Sequence, residues 1–209
     1  MGRSAMRHTS LQLRSAPMPT LILLGDSTRR RYEPALRALL AAAVPSLDIW
    51  SPDENCETSE RIRANLEPWV ISRAPDIVHL NCGLHDLRWN PGSDGPQVSI
   101  EAYEANLTKI FGELTSRGIR VIWATSTPID EARHAQKRAS RRTIEDVRRY
   151  NAVSRRVADR FGVACNDLFA AVDEHGAAEL LGADGAHFTD DGNAFLASRV
   201  AAAIIAAVG

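Results

Sequence analysis

Three residues far apart in the chain have the types and settings for nucleophilic catalysis. Gly25-Asp26-Ser27 directly follows a short apolar run, Leu21-Ile22-Leu23-Leu24. A serine hydroxyl near its free pKa attacks poorly and needs an adjacent base. Asp184-Gly185-Ala186-His187-Phe188 can supply that base, because an acid three residues ahead of a histidine can accept from one ring nitrogen while the other faces a serine. Taken singly, Gly25-Asp26-Ser27 also reads as a turn or helix cap, and Asp184 and His187 as loop residues. Joined across a suitable sheet, they read as a triad.

Other chemistry-bearing residues have weaker readings. Cys56 has no histidine beside it in sequence and reads as a small buried or loop residue rather than a reactive thiol. Cys82 and Cys165 stand at strand ends and read as core. Glu54 and Glu57 are a carboxylate pair, but glycosidase chemistry needs a separation across the scissile bond that spacing alone does not supply. The three cysteines form neither a CxxC pair nor a zinc-ligand cluster, so neither a disulfide framework nor a metal site is expected. Arg29-Arg30-Arg31 opposes the favourable end of a helix dipole and calls for solvent, a carboxylate partner or an anionic ligand. A second basic stretch, Arg133 to Arg149, reads as a solvated helix face and loop, with an anion or partner contact as the alternative. Trp50 and Trp89 read as either core or pocket lining.

The elements that must position these residues alternate along the chain. The apolar run at 21–24, bounded by Gly25, suits a buried strand. The pattern predicts helix over Tyr32 to Val44, strand over Leu47 to Trp50, helix over Ser59 to Ile71 capped by Thr58 or Ser59, and strand over Asp76 to Asn81. Ile100, Tyr103, Leu107, Ile110, Phe111 and Leu114 recur at intervals of three and four, which predicts helix over Gln97 to Arg117, closed by Gly118. Strand over Ile119 to Ala124, helix over Ile144 to Phe161, a short strand over Gly162 to Cys165 and helix over Asn193 to Val208 complete the series. This order predicts an α/β fold with a mostly parallel sheet and helices on both faces, since parallel neighbours need long crossovers. In such sheets ligands bind beyond the carboxyl ends of the strands, where Ser27 falls.

Composition bounds the remaining classes. The chain has 209 residues, 44% hydrophobic and 24% charged, with a formal charge of −1, which argues against a collagen-like or wholly disordered chain. Residues 1–19, with Arg3, Arg7 and Arg14, read as a flexible tail and residues 20–209 as one domain. No apolar run reaches 18 residues and the charge balance is near neutral, so neither a membrane span nor general attraction to nucleic acid is expected. Missing export features leave a cytoplasmic location as the expectation. The sequence sets no oligomeric state. A nucleotide-binding doubly wound protein ranks last, because both a Gly-rich dinucleotide fingerprint and a P-loop are missing.

Gly25-Asp26-Ser27, Gly83-Leu84-His85-Asp86 and Asp184-Gly185-Ala186-His187 together resemble the ordered blocks of the SGNH (GDSL-type) hydrolases, and the likeness covers nearly all of residues 20–209. The resemblance implies a three-layer α/β/α sandwich around about five parallel strands, hydrolysis or transfer of ester-linked acyl groups, and no cofactor. It implies Ser27 as nucleophile, His187 as general base and Asp184 as its orienting carboxylate. The family's oxyanion hole would fall to the backbone N–H groups of Ser27 and Cys56 and to the His85 side chain. Cys56 stands where glycine is usual and His85 where asparagine is usual. The pattern from Asn81 through Gly83-Leu84-His85-Asp86, with Ala124-Thr125-Ser126-Thr127-Pro128 and Asn166-Asp167-Leu168, is similar to a bacterial subgroup of these hydrolases. Asp26, Gly83 and Asp86 would support the site, Asp86 by orienting His85 or by bracing its loop. The implied function is a serine esterase acting on an ester of a small acyl group, such as acetyl, with a carbohydrate or other polar alcohol. An acyltransferase on the same site and a non-catalytic ligand-binding protein retaining the fold are the alternatives.

Overall fold

The computed structural model describes residues 18–209. The tail expected over residues 1–19 therefore lies almost wholly outside the described residues, and Arg3, Arg7 and Arg14 with it. Among the described residues the sheet has five strands, β1 (Thr20–Leu24), β2 (Asp48–Trp50), β3 (Ile77–Leu80), β4 (Arg120–Ala124) and β5 (Ala164–Asn166), in the order β2-β1-β3-β4-β5. Every pairing is parallel, with Leu23 beside His79 and His79 beside Ile122 at the centre.

The helices are α1 (Ser27–Ala43), α2 (Ser59–Ala64), α3 (Leu66–Trp69), α4 (Ile100–Ser116), α5 (Glu131–Lys137), α6 (Ile144–Arg160), α7 (Leu168–His175), α8 (Ala177–Leu180) and α9 (Asp190–Val208). Strand side chains alternate between two faces, and the core divides accordingly. Ile22, Leu24, Val78, Leu80, Val121 and Trp123 pack with the apolar faces of α2, α3, α4 and α6. Leu21, Leu23, Ile77, Ile122 and Ala124 pack on the other side with α1, α7, α8 and α9. The result is a three-layer α/β/α sandwich. Helix α9 is long and apolar enough by length and composition to cross a membrane, yet Leu196, Ala197, Val200, Ala201 and Ile204 form a buried stripe within the second core.

Several boundaries differ from expectation for identifiable reasons. Helix α1 begins at Ser27, not Tyr32, because the Asp26 carboxylate caps it by accepting from the Thr28 N–H. The helix expected over Ser59 to Ile71 breaks at Asn65, where Pro68 has no N–H to donate one turn back and its ring crowds the preceding turn. Ser99 and Thr189 cap α4 and α9 and set their first residues at Ile100 and Asp190. Helices α5, α7 and α8 are too short to show a clear apolar period. Cys165, expected in the core, is exposed on edge strand β5.

Candidate active site

The carboxyl end of β1 delivers Ser27. Gly25 makes the turn, and a side chain there would bring its Cβ within 2.2 Å of the Asn81 Oδ1 that follows β3. Asp26 is buried as the helix cap, and Ser27 becomes the first residue of α1, at the positive end of the helix dipole. Arg29, one turn on, faces inward. It pairs with Glu33 and donates through Nη2 to the carbonyls of Pro52 and Glu54 at 3.0 and 3.1 Å, fastening the loop before Cys56 to α1. Burial pushes the Glu33 carboxyl up, but its bonds from Ser51, Arg29 and Arg37 outweigh that and hold it below the usual range. Arg30 and Arg31 are exposed.

The loop before α9 delivers His187 and Asp184. Ser27 Oγ lies 2.9 Å from His187 Nε2, and His187 Nδ1 lies 2.6 Å from Asp184 Oδ2. Asp184 Oδ1 accepts from the backbone N–H groups of Ala186 and His187 at 3.1 and 2.9 Å. Partial burial raises the Asp184 pKa, but the bonds from the His187 N–H, the His187 ring and the Ala186 N–H lower it well below the usual range. Asp184 is therefore ionised at neutral pH and accepts from the Nδ1–H tautomer, which leaves the Nε2 lone pair facing the serine. Gly185 has φ of 68°, and a Cβ there would meet the Asp130 carbonyl at 2.4 Å and the His134 N at 2.9 Å. The amino end of α5 thus presses directly on the Asp184–His187 turn, and the Asp130 N–H donates to the Gly185 carbonyl at 2.7 Å.

The loop after β3 forms the third side. Gly83 has φ of 138° and lies against Ser126, whose Oγ would stand 2.2 Å from an added Cβ. His85 lines the same cavity as Ser27 and His187, a hollow of about 320 Å³. Burial lowers the His85 pKa; Arg142 and Arg88 push the same way, against Asp26 and Glu57. Asp86 makes no bond to His85. Its Oδ1 accepts from the Ser59 N–H and hydroxyl at 2.9 and 2.5 Å, tying the loop to the start of α2.

These blocks have counterparts. The sequence matches the model of the GDSL-like Lipase/Acylhydrolase family over residues 22–195. The chain belongs to that family. As a GDSL-like acylhydrolase it is a carboxylic ester hydrolase. Its fold is similar to the lipase/acylhydrolase from Enterococcus faecalis, at TM-score 0.75 and 21% identity over 91% of this chain and 97% of that one. It is similar to the acetyl xylan esterase AlAXEase at TM-score 0.74 and 21% identity, over 88% and 99% of the two chains. It is also similar to the acetylxylan esterase Axe2 of Geobacillus stearothermophilus, at TM-score 0.70 and 21% identity over 88% and 94%. A search of curated proteins returned no match.

Within this acylhydrolase, Ser27, His187, Asp184 and His85 meet at one cavity, with Asp26 at its wall. Cys56 does not join them. It is fully buried in the core beneath α2, burial raises its thiol pKa, and its N–H donates to the Gly25 carbonyl at 3.1 Å. The expected donor is thereby already engaged, because the loop hydrogen-bonds across to the end of β1. Asn55 lines the cavity instead, its Oδ1 held by the Glu57 N–H at 2.8 Å, which leaves Nδ2 as its donor. Neither tryptophan lines the site: Arg73 stacks on Trp50 and Arg141 on Trp89. His134, Arg138 and Arg142, members of the basic stretch that read first as a solvated face with an anion contact as the alternative, border the cavity from α5 and the segment after it. Their signal was the basic run, whose inward-facing members no period distinguishes. Among the described residues no group of three or more His, Cys, Asp and Glu side chains could hold a metal ion. A larger hollow of about 680 Å³ opens at the amino ends of the strands, lined by Asp76, Arg117 and Arg120, and contains neither serine nor histidine.

Proposed function

We propose that this acylhydrolase cleaves a small acyl ester, with acetyl preferred, of a carbohydrate or other polar alcohol through an acyl-enzyme on Ser27. The observation that carries this reading is the unbroken chain from Ser27 Oγ to His187 to Asp184, at 2.9 and 2.6 Å, opening onto the cavity. His187 Nε2 takes the hydroxyl proton as Ser27 Oγ attacks the ester carbonyl, and the imidazolium is stabilised by Asp184. Collapse of the tetrahedral intermediate breaks the bond to the alcohol, which leaves with the proton from His187. Water, deprotonated by His187, then attacks the acyl-enzyme and restores Ser27. The Ser27 N–H at the start of α1 and the His85 ring are the oxyanion donors in this reading. With its pKa lowered, His85 is neutral at pH 7, so it acts as a hydrogen-bond donor in one tautomer and not as a charge. The cavity of about 320 Å³ suits a short acyl group and a compact alcohol.

The test is intact mass after exposure to an activated fluorophosphonate. One adduct forms on the native chain, none on Ser27→Ala, and labelling is much slower on His187→Ala. A folded native chain that takes no adduct while the probe labels a control serine hydrolase defeats the reading.

A further inference from the structure

The cavity beside Ser27 is built around positive charge that the ester chemistry does not use. Arg88, Arg138 and Arg142 all line it. Of these only Arg138 meets a carboxylate among the described residues, a contact of 3.5 Å with Asp184, which is already engaged by His187 and two backbone N–H groups. The other carboxylate on the wall, Asp26, spends its Oδ1 on capping α1. Arg88 donates to Gln97, and its Nε is enclosed without a partner.

Arg142 is the most deliberately placed of the three. The backbones of Trp89 and Arg141 exchange two hydrogen bonds of 2.9 Å, which clamps this segment against the loop carrying His85. Arg142 Nε then donates to the Leu84 carbonyl at 2.6 Å and Nη1 to His134 Nε2 at 3.3 Å. Its guanidinium is fixed by neutral acceptors, with Nη2 uncommitted among the described residues. Burial and the neighbouring charges of Arg88 and Arg138, against the opposing pull of Asp26 and Asp184, lower its pKa to about 10, so it is still charged at pH 7. Three guanidiniums outnumber the two carboxylates, Asp26 and Asp184, on the cavity wall, an excess of positive charge that an entering anion relieves.

Their position indicates which part of the substrate is anionic. Helix α5, which contributes His134, abuts Gly185 in the turn that carries His187, and Arg138 touches Asp184. The arginines thus border the same cavity as Ser27 and His187, whose Nε2 protonates the departing alcohol. We propose that the leaving alcohol carries an anionic group, a carboxylate or a phosphate, received by the Arg142 fork with Arg138 and Arg88 around it. The inference rests on the esterase reading above, because His187 as proton donor fixes where the alcohol lies.

Three acetyl esters test it: 3-acetoxybenzoate, 3-acetoxyphenyl phosphate and the neutral 3-acetoxybenzamide, followed by acetate release. The kcat/KM of at least one anionic ester exceeds that of the amide by about tenfold at low salt, as charge-assisted hydrogen bonds to a planar fork require. The better anion identifies the group. The ratio falls as ionic strength rises, drops toward one in Arg142→Gln, and drops partway in Arg138→Gln, whose exposed position keeps the test open if the first variant fails to fold. A ratio of one or less in the parent, unchanged in Arg138→Gln, overturns the inference, and fluorophosphonate labelling of Ser27 in the same preparation shows that the esterase reading survives it. If Ser27 neither labels nor turns over any ester, that reading fails instead. Equilibrium binding of 3-hydroxybenzoate, 3-hydroxyphenyl phosphate and 3-hydroxybenzamide then decides the anion site alone: preference for an anion that Arg138→Gln weakens supports it, and equal binding overturns it.

Discussion

At the scale of single residues, the site depends on which hydrogen-bonding groups are already spent. Cys56 and His85 occupy equivalent places in the sequence argument, each a departure from the family pattern at an expected oxyanion donor. The structure separates them: the Cys56 N–H is consumed by the Gly25 carbonyl, while His85 faces the cavity with Ser27. Substituting His85→Ala should lower kcat by about 10² to 10³ and change KM only slightly, since an oxyanion donor acts mainly on the transition state. Steady-state kinetics on an acetyl ester checks this, and a loss under tenfold removes His85 from that role. The meeting of Ser27, His187 and Asp184 was legible in the sequence because these residues fall in short motifs at separate places in the chain. The engagement of the Cys56 N–H was not, because a backbone donor's partner depends on the path of a distant strand end. Asn55 was illegible for the same reason, being distinguished from its neighbours only by which wall it reaches.

At the scale of elements, the helix starts explain both the successes and the failures of the sequence reading. Long periodic helices such as α4 and α6 were recognisable from their apolar spacing, and the central strands from their runs of buried residues. Helix α1 begins five residues before the expected Tyr32, because its Ala- and Leu-rich pattern is legible only beyond three consecutive arginines. Arg29 fits there by turning inward to Glu33 and to two loop carbonyls, so the charge that opposes the helix dipole also holds the Pro52–Glu54 loop in place. Removing it in Arg29→Met leaves Glu33 with Arg37 and Ser51 but strips the Pro52 and Glu54 carbonyls of their donor. The expected loss is about 3 kcal/mol of stability, the low end for a broken buried pair. It should be read as a shift in urea midpoint, accompanied by weaker activity as the loop bearing Asn55 loosens. A midpoint within experimental error of the parent contradicts this account of α1. The short helix α5 gave no such period, and its importance comes from contact with Gly185, a tertiary fact with no local signature.

At the scale of the whole molecule, the central strand and the loop that leaves it place two titratable groups in the core with opposite pH signatures. His79 sits in β3 between β1 and β4, and burial lowers its pKa to about 4. Asp86 is equally buried a few residues later, and burial raises its pKa to about 6 against the lowering effect of its bonds to Ser59. Between about pH 4 and 6.5 the unfolded chain binds a proton at His79 that the folded chain refuses, so this group makes stability rise with pH. Between about pH 4 and 6 the folded chain holds a proton on Asp86 that the unfolded chain has released, so this group makes stability fall with pH. Each shift of somewhat over two units corresponds to about 3 kcal/mol, and the two largely offset one another across the same window. The offset is exposed by difference measurements, in which the remaining groups cancel. The unfolding free energy of the parent minus that of Asp86→Asn should fall by about 3 kcal/mol from pH 4 to 6, because only the parent must ionise a buried acid. The parent minus His79→Leu should rise by about the same amount from pH 4 to 6.5, as the parent escapes the need to bury a group that the unfolded chain prefers protonated. Urea unfolding at half-unit intervals measures both curves. Two flat differences would mean that neither side chain is enclosed as the sheet places it, whereas slopes of opposite sign tie the pH tolerance of the fold to the strand that carries the His85 loop.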